Sequence, residues 1–170
     1  MKVVVLDSLP LAELCRKKVK SNVGGLLLFL KDREISLRVA EITEYELRRE
    51  LLRSQRYKSE NRLNKYYLTQ RIIPINRLSL LKASEIWAEM RNRGMPTASK
   101  ERIDIDTIMV AQAVSLKQDF EEIIILTSDP EDIFRFSNYG IKTWRWKDAL
   151  NWNGQAINYY YPTIDSNLDT

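Results

Sequence analysis

The sequence predicts an α/β domain with a central parallel sheet of four to five strands flanked by helices. Short uninterrupted apolar runs, above all Val3 to Leu6 and Ile123 to Leu126, alternate with longer stretches of helical period. The runs are too uniformly apolar for a sheet that is wet on one face, so helices must cover both faces, as βαβ crossovers do. At 170 residues the chain has room for one compact domain of ordinary size, which we place over residues 1–150.

Val3 to Leu6 reads as a first buried strand, stopped at Asp7 and the turn Ser8-Leu9-Pro10. Leu11 to Lys31 is helical in pattern, with a break expected near Gly24-Gly25. Ile35 to Val39 alternates as a second strand, with Ile35, Leu37 and Val39 on one face. A helix begins near Thr43, marked by Leu47, Leu51 and Leu52, and a second runs through Leu63 to Leu68. Ile72 to Ile75 is a short extended piece. A long amphipathic helix follows, its apolar side drawn by Leu80, Leu81, Ile86, Trp87 and Met90. Arg93 to Arg102, with Gly94, Pro96 and Ser99, is a loop. Asp104 to Leu116 is helical again, with Ile108, Ala111 and Val114 inward. Ile123 to Leu126 is the strongest strand, and Ile141 to Trp146 is the last. Residues 151–170 turn polar and Tyr-rich, carry Asp165 and Asp169 and lack any basic residue, so they read as a tail or a packed extension.

Apolar residues make up 44% and charged residues 29%, enough for a packed core under a solvated surface. The chain has no His and one Cys, Cys15. That excludes Ser-His-Asp and Cys-His hydrolases, His-based acid/base nucleases, zinc sites built on His and Cys, and an internal disulfide. Any chemistry must rest on carboxylates, hydroxyls, Lys, Arg or Tyr. The start of the chain lacks the apolar core of a signal peptide, and the longest apolar stretch, Leu26 to Leu30, is far below the roughly 20 residues that span a bilayer. The expected setting is the cytoplasm, with no membrane partner.

The net charge of +4 says little, but its distribution is uneven. Between Arg48 and Arg71 stand eight basic residues and two acids, Glu50 and Glu60, with Tyr57, Tyr66 and Tyr67 among them. Such a stretch is either a solvated helix surface or a track for a phosphate backbone.

The acids carry the most information. Ligands of open parallel sheets bind beyond the carboxyl ends of the strands. Asp7 follows the first strand, Asp129 follows Ile123 to Leu126, Asp106 lies in the first turn of its helix, and Glu46 in the first turn of the helix after the second strand. Four carboxylates from separate segments can thus meet at one edge. They stay ionised together only beside a compensating cation, and hard oxygen ligands suit Mg²⁺ or Mn²⁺. A cation held there generates a nucleophile from water and neutralises charge on a phosphate undergoing hydrolysis.

Each acid also has a plainer reading. Thr43-Glu44-Tyr45-Glu46 fits a capping box, Asp129 before Pro130 fits an N-cap, and Asp104 and Asp106, two apart and so on different helix faces, read as one cap and one free acid. Asp7, directly after an apolar strand, has the least structural work to do by sequence alone.

The pattern resembles the PIN-domain family, metal-dependent ribonucleases that include the VapC-type toxins of toxin–antitoxin modules. The resemblance covers Val3 to Leu150. It rests on Val4-Val5-Leu6-Asp7-Ser8, on Glu46-Leu47 shortly after a strand, on Asp106 leading the apolar, Ala-rich helix Thr107 to Ala113, and on Thr127-Ser128-Asp129 after a strand. One position departs: many members carry a polar residue two places after the first Asp, where this chain has Leu9. The resemblance implies that Asp7, Glu46, Asp106 and Asp129 hold one or two Mg²⁺ or Mn²⁺ ions, with Thr127 in support and Asp104 in reserve. It also implies RNA as substrate, a homodimer and an antitoxin partner.

Other readings fit less well. A haloacid-dehalogenase-type phosphatase needs a second Asp where Leu9 stands, and a response-regulator receiver needs an acid pair at the first strand. A PIN-fold module that binds RNA or a protein with weak or lost chemistry is the remaining competitor, kept open by Leu9-Pro10.

Overall fold

The structure is a computed structural model that describes residues 1–96, 104–152 and 156–163. Five strands, β1 (Lys2–Leu6), β2 (Ser36–Ala40), β3 (Ile72–Ile73), β4 (Glu122–Thr127) and β5 (Ile141–Arg145), form one all-parallel sheet in the order β3-β2-β1-β4-β5. Around it, among the described residues, pack α1 (Ser8–Leu14), α2 (Ser21–Asp32), α3 (Glu41–Arg53), α4 (Tyr57–Leu68), α5 (Arg77–Asn92), α6 (Ile105–Val114), α7 (Pro130–Phe134) and α8 (Trp146–Leu150). The expected class and the five-stranded sheet are both present.

The apolar runs do what their composition requires. Val4, Leu6, Ile124 and Leu126 enter one core layer with Leu11, Phe29, Leu47, Leu63 and Trp144. Val3, Val5, Ile123 and Ile125 enter the other with Ile86, Met90, Met109, Val110 and Phe136. Alternation in β1 and β4 therefore feeds two separate cores, which is why those runs carry no polar face.

From β1 the chain moves outward through β2 to β3, then returns to lay β4 on the other flank of β1. The ends of β1 and β4 thus flank the point where the strand order reverses, the place where open α/β sheets leave a crevice. Asp7 and Asp129 follow those two strands.

Several local expectations are corrected. Gly24 and Gly25 lie inside α2; a side chain at either would meet open space, and burial of Val23, Leu26, Phe29 and Leu30 holds the helix through them. The break falls instead at residues 15–20. The helix expected near Thr43 starts at Glu41, with Ala40 at its N-cap, so the capping box does not form and Thr43 is buried. On α5 the buried stripe is Ser79, Ala83, Ile86 and Met90, while Leu80 and Leu81 face solvent. A capping box at Asn76 and Ser79 fixes that register. Helix α6 is buried nearly all round, including Thr107 and Gln112, so its one-sided inward face of Ile108, Ala111 and Val114 is too narrow a reading. Trp146 opens α8 rather than ending β5.

The C-terminal segment is a packed extension over its described part. The Trp152 ring lies 3.7 Å from that of Phe29, Ile157 and Tyr159 pack against the first core layer, and the Tyr160 N–H donates to the Thr143 carbonyl at 2.8 Å. Asp165, Asp169 and the part of the expected loop beyond Pro96, up to Arg102, lie outside the described residues. No helix among the described residues is long and apolar enough to cross a membrane.

Candidate functional site

Asp7 leaves β1 in extended backbone and becomes the N-cap of α1, with its Oδ1 accepting from the Ser8 N–H at 2.6 Å. Its Oδ2 accepts from the Thr127 hydroxyl at 2.7 Å, and that hydroxyl oxygen accepts in turn from the Asp129 N–H at 2.9 Å. Asp7 therefore has structural work that its sequence position did not reveal. The last strand turn of β4 positions both Thr127 and Asp129 around it.

Glu46 sits in the second turn of α3, not the first, because the helix begins earlier than expected. Freed from capping, its carboxylate accepts the Ser8 hydroxyl and ties α3 to α1. Glu41, at the start of the helix, reaches across to the exit of β3 instead, accepting from the Ile75 N–H at 2.6 Å. Further along, the buried Gln112 side chain accepts from the Ile42 N–H at 3.3 Å and donates to the Ile73 carbonyl at 2.5 Å, so α6 is fastened to the start of α3 and to β3.

Asp104 is the cap of α6, accepting from the Thr107 N–H at 3.0 Å, and Asp106 is released to face the site. Burial raises the Asp106 carboxyl to about 7, and the charges of Asp7, Asp104, Glu46 and Asp132 add to the effect. Burial also raises Asp7, against the lowering influence of the Thr127 hydroxyl and the Ser8 N–H, while Glu46 and Asp129 push it further up. Asp129 occupies the N-cap position of α7 before Pro130 but makes no capping hydrogen bond; its Oδ2 accepts from the Ser128 hydroxyl at 3.1 Å.

Glu46 and Asp129 thus act electrostatically on Asp7, and Asp7 and Glu46 on Asp106, although among the described residues no three acids are placed close enough together to hold one metal ion. The chemistry of the donor set fits a hard divalent cation: all the donors are carboxylate oxygens, two are raised by burial and by their neighbours, and no cation is among the leading influences on Asp106. Reading the sequence did not assign a role to Ser8 or find Asp132. Ser8 was signalled by its place after Asp7, whereas Asp132 carries no local sign of its role.

The basic stretch is less free than its composition suggests. Arg48 is paired with Glu44 and Glu60, Arg53 with Glu50, and Arg62 donates to the Lys17 carbonyl.

No family model and no curated protein matches the sequence. Solved structures do match. VapBC2 from Rickettsia felis bound to a DNA fragment from its promoter is 14% identical with a TM-score of 0.62, over 84% of this chain and 98% of that one. VapBC from Salmonella typhimurium bound to DNA is 15% identical with a TM-score of 0.61, over 86% and 99%. FitAB bound to a DNA fragment is 18% identical with a TM-score of 0.58, over 90% and 99%. At these identities the likeness is one of fold. The chain has the PIN-like α/β fold, as its motifs imply.

Proposed function

We propose that the protein is a Mg²⁺- or Mn²⁺-dependent endoribonuclease, the toxin of a toxin–antitoxin pair, working in the cytoplasm. The observation that carries this reading is that Asp7 and Asp106, at the switch point of the sheet, are both raised by burial first and by acidic neighbours second, with Asp7 itself acting on Asp106. Asp7, Glu46, Asp106 and Asp129 are the residues that would hold the cation, with Thr127 and Ser8 orienting Asp7 and Glu46. A bound divalent ion supplies activation of water and charge neutralisation at the scissile phosphodiester. The chain's own contribution is to position the oxygens, keep Asp106 ionised once a cation is present, and hold the β1 and β4 ends together.

The antitoxin partner is supported by the fold shared with VapBC and FitAB, which are known as two-component complexes bound to DNA. The homodimer and the RNA substrate rest on the motif resemblance. The competing reading, a module that binds RNA or a protein without chemistry, draws on Leu9, which stands half exposed in the first turn of α1 where a polar group would assist the site.

Hydrolysis of mixed single-stranded and structured RNAs in Mn²⁺, Mg²⁺ or EDTA separates the two, comparing the wild type with Asp7→Asn and Asp106→Asn. Cleavage that needs the cation and disappears in both variants is the expected result. Binding of RNA with no cleavage under either metal would overturn the nuclease reading in favour of the binding module.

A further inference from the structure

We propose that Arg145, Phe134, Tyr160 and Tyr161 form a subsite for an unpaired nucleotide of single-stranded RNA beside the carboxylate cluster, with Tyr161 stacking on the base and Arg145 taking an adjacent phosphate. This rests on the reading of RNA as substrate.

Arg145 ends β5 in register with Thr127 of β4, and Thr127 stands beside Asp7 at the end of β1. The three residues follow Ile141, Ile125 and Val5 at even spacing, so they share the sheet face that carries the second core layer. Two strand spacings put the Arg145 backbone roughly 10 Å from that of Asp7. Phe134 ends α7, the short helix that Asp129 precedes and on which Asp132 acts on Asp106. Tyr160 and Tyr161 arrive from the C-terminal segment, which the Tyr160 N–H fastens to Thr143 on β5.

The ring geometry leaves a surface open. Phe134 meets Tyr160 at 5.9 Å and 81°, and Tyr161 at 6.0 Å and 71°, both edge to face. The Arg145 guanidinium lies over the Tyr160 ring at 4.9 Å. Tyr161 is 69% exposed. Among the described residues no carboxylate pairs with Arg145, in contrast to Arg48 and Arg53 on α3. A tyrosine oriented by an edge contact and left open, next to an unneutralised guanidinium, is what base stacking with phosphate contact requires. Arg145 and Tyr160 are half-buried and held by their mutual contact, whereas the open Tyr161 ring adds little to folding.

The test is equilibrium binding of a fluorescently labelled single-stranded RNA of mixed sequence to the full chain in EDTA, which separates binding from cleavage. Tyr161→Ala is expected to weaken binding about 5- to 150-fold, with Tyr161→Phe close to wild type. Arg145→Gln is expected to weaken it and to lower the salt slope by about one. Duplex RNA, whose bases are not free to stack, should bind the wild type and Tyr161→Ala alike. Unchanged melting of each variant shows that folding is intact.

Wild-type affinity in both Tyr161→Ala and Arg145→Gln overturns the subsite, as does a wild type that does not bind the single-stranded RNA. The nuclease reading is judged separately by cleavage in Mn²⁺. Variant-sensitive binding by a chain that cuts nothing upholds the subsite and sinks only the chemistry.

Discussion

The Thr127 hydroxyl donates to Asp7 Oδ2 at 2.7 Å, joining two residues 120 positions apart in the sequence. The same oxygen accepts the Asp129 N–H, so one fully buried side chain holds the first and last acids of the site in a common frame. β1 and β4 are adjacent strands with Leu6 opposite Leu126, and the bond therefore closes the sheet edge at the switch point.

Thr127→Val, which keeps the shape and removes the hydroxyl, is expected to destabilise the chain by about 1–3 kcal/mol, because Asp7 and the Asp129 N–H both lose a partner. Cation-dependent cleavage should fall roughly 10- to 100-fold, as when a group that orients a ligand is lost. Thr127→Ser should restore most of both. Chemical denaturation and initial rates check the pair of effects.

Stability of the cation-free protein should decline as pH rises. The Asp106 carboxyl, ordinarily near 3.8, stands at about 7 in the folded chain, so between those values the folded state keeps a proton that the unfolded state has released. Folding is then opposed increasingly as pH climbs through that window, and the loss is complete above pH 7. Asp7, shifted in the same direction, adds to the slope. Asp106→Asn should flatten the profile and raise the melting temperature at pH 8. Thermal melts from pH 4 to 8 in EDTA would reveal it, and a wild-type profile that rises across this range would contradict it. Adding Mg²⁺ or Mn²⁺ should stabilise the wild type most at the alkaline end.

Gln112→Leu is expected to cost about 2–4 kcal/mol, since the Ile42 N–H and the Ile73 carbonyl are then left buried with one partner fewer each. Gln112→Glu should be worse, as it adds a buried charge and removes the donor to Ile73. Urea unfolding curves with unchanged slope separate this from a change in compactness.

Deleting the chain after Asn151 should uncover Phe29 and the part of the first core layer under Ile157 and Tyr159, and lower stability by about 2–5 kcal/mol from the apolar side chains re-exposed. That corresponds to a fall of roughly 5–15 °C in melting temperature for a chain of this size. Trp152→Ala alone should reproduce part of the loss.

The class of fold was legible because it depends on patterning. Val3 to Leu6 and Ile123 to Leu126 are apolar at every position, and only a strand covered on both faces uses such a run. The positions of Asp7 and Asp129 after β1 and β4, and of Asp106 in the first turn of α6, were legible because each adjoins a recognisable element end, whereas Glu46 lies one turn deeper in α3 than its spacing suggests. Local register was not legible to the same degree. Thr43-Glu44-Tyr45-Glu46 has the spacing of a capping box, yet the helix starts two residues earlier because Glu41 is drawn to the Ile75 N–H and Ile42 to Gln112, partners 34 and 70 positions away. Leu80 and Leu81 look like a core stripe, but the cap at Asn76 and the burial of Ala83, Ile86 and Met90 rotate them outward.

By itself the sequence determined the parallel α/β architecture, the lack of any His, and the order of the acids along the strands and helices, because residue type and period are local properties. Only the tertiary structure decided that Asp7 caps α1 through the Ser8 N–H and is held by Thr127, that Glu46 is free of its own helix, that Asp104 rather than Asp106 caps α6, and that Asp132 and the Arg145–Tyr160 pair lie on elements bordering the site. Those are contacts between segments far apart in the chain, and they exist only once β1 and β4 lie side by side.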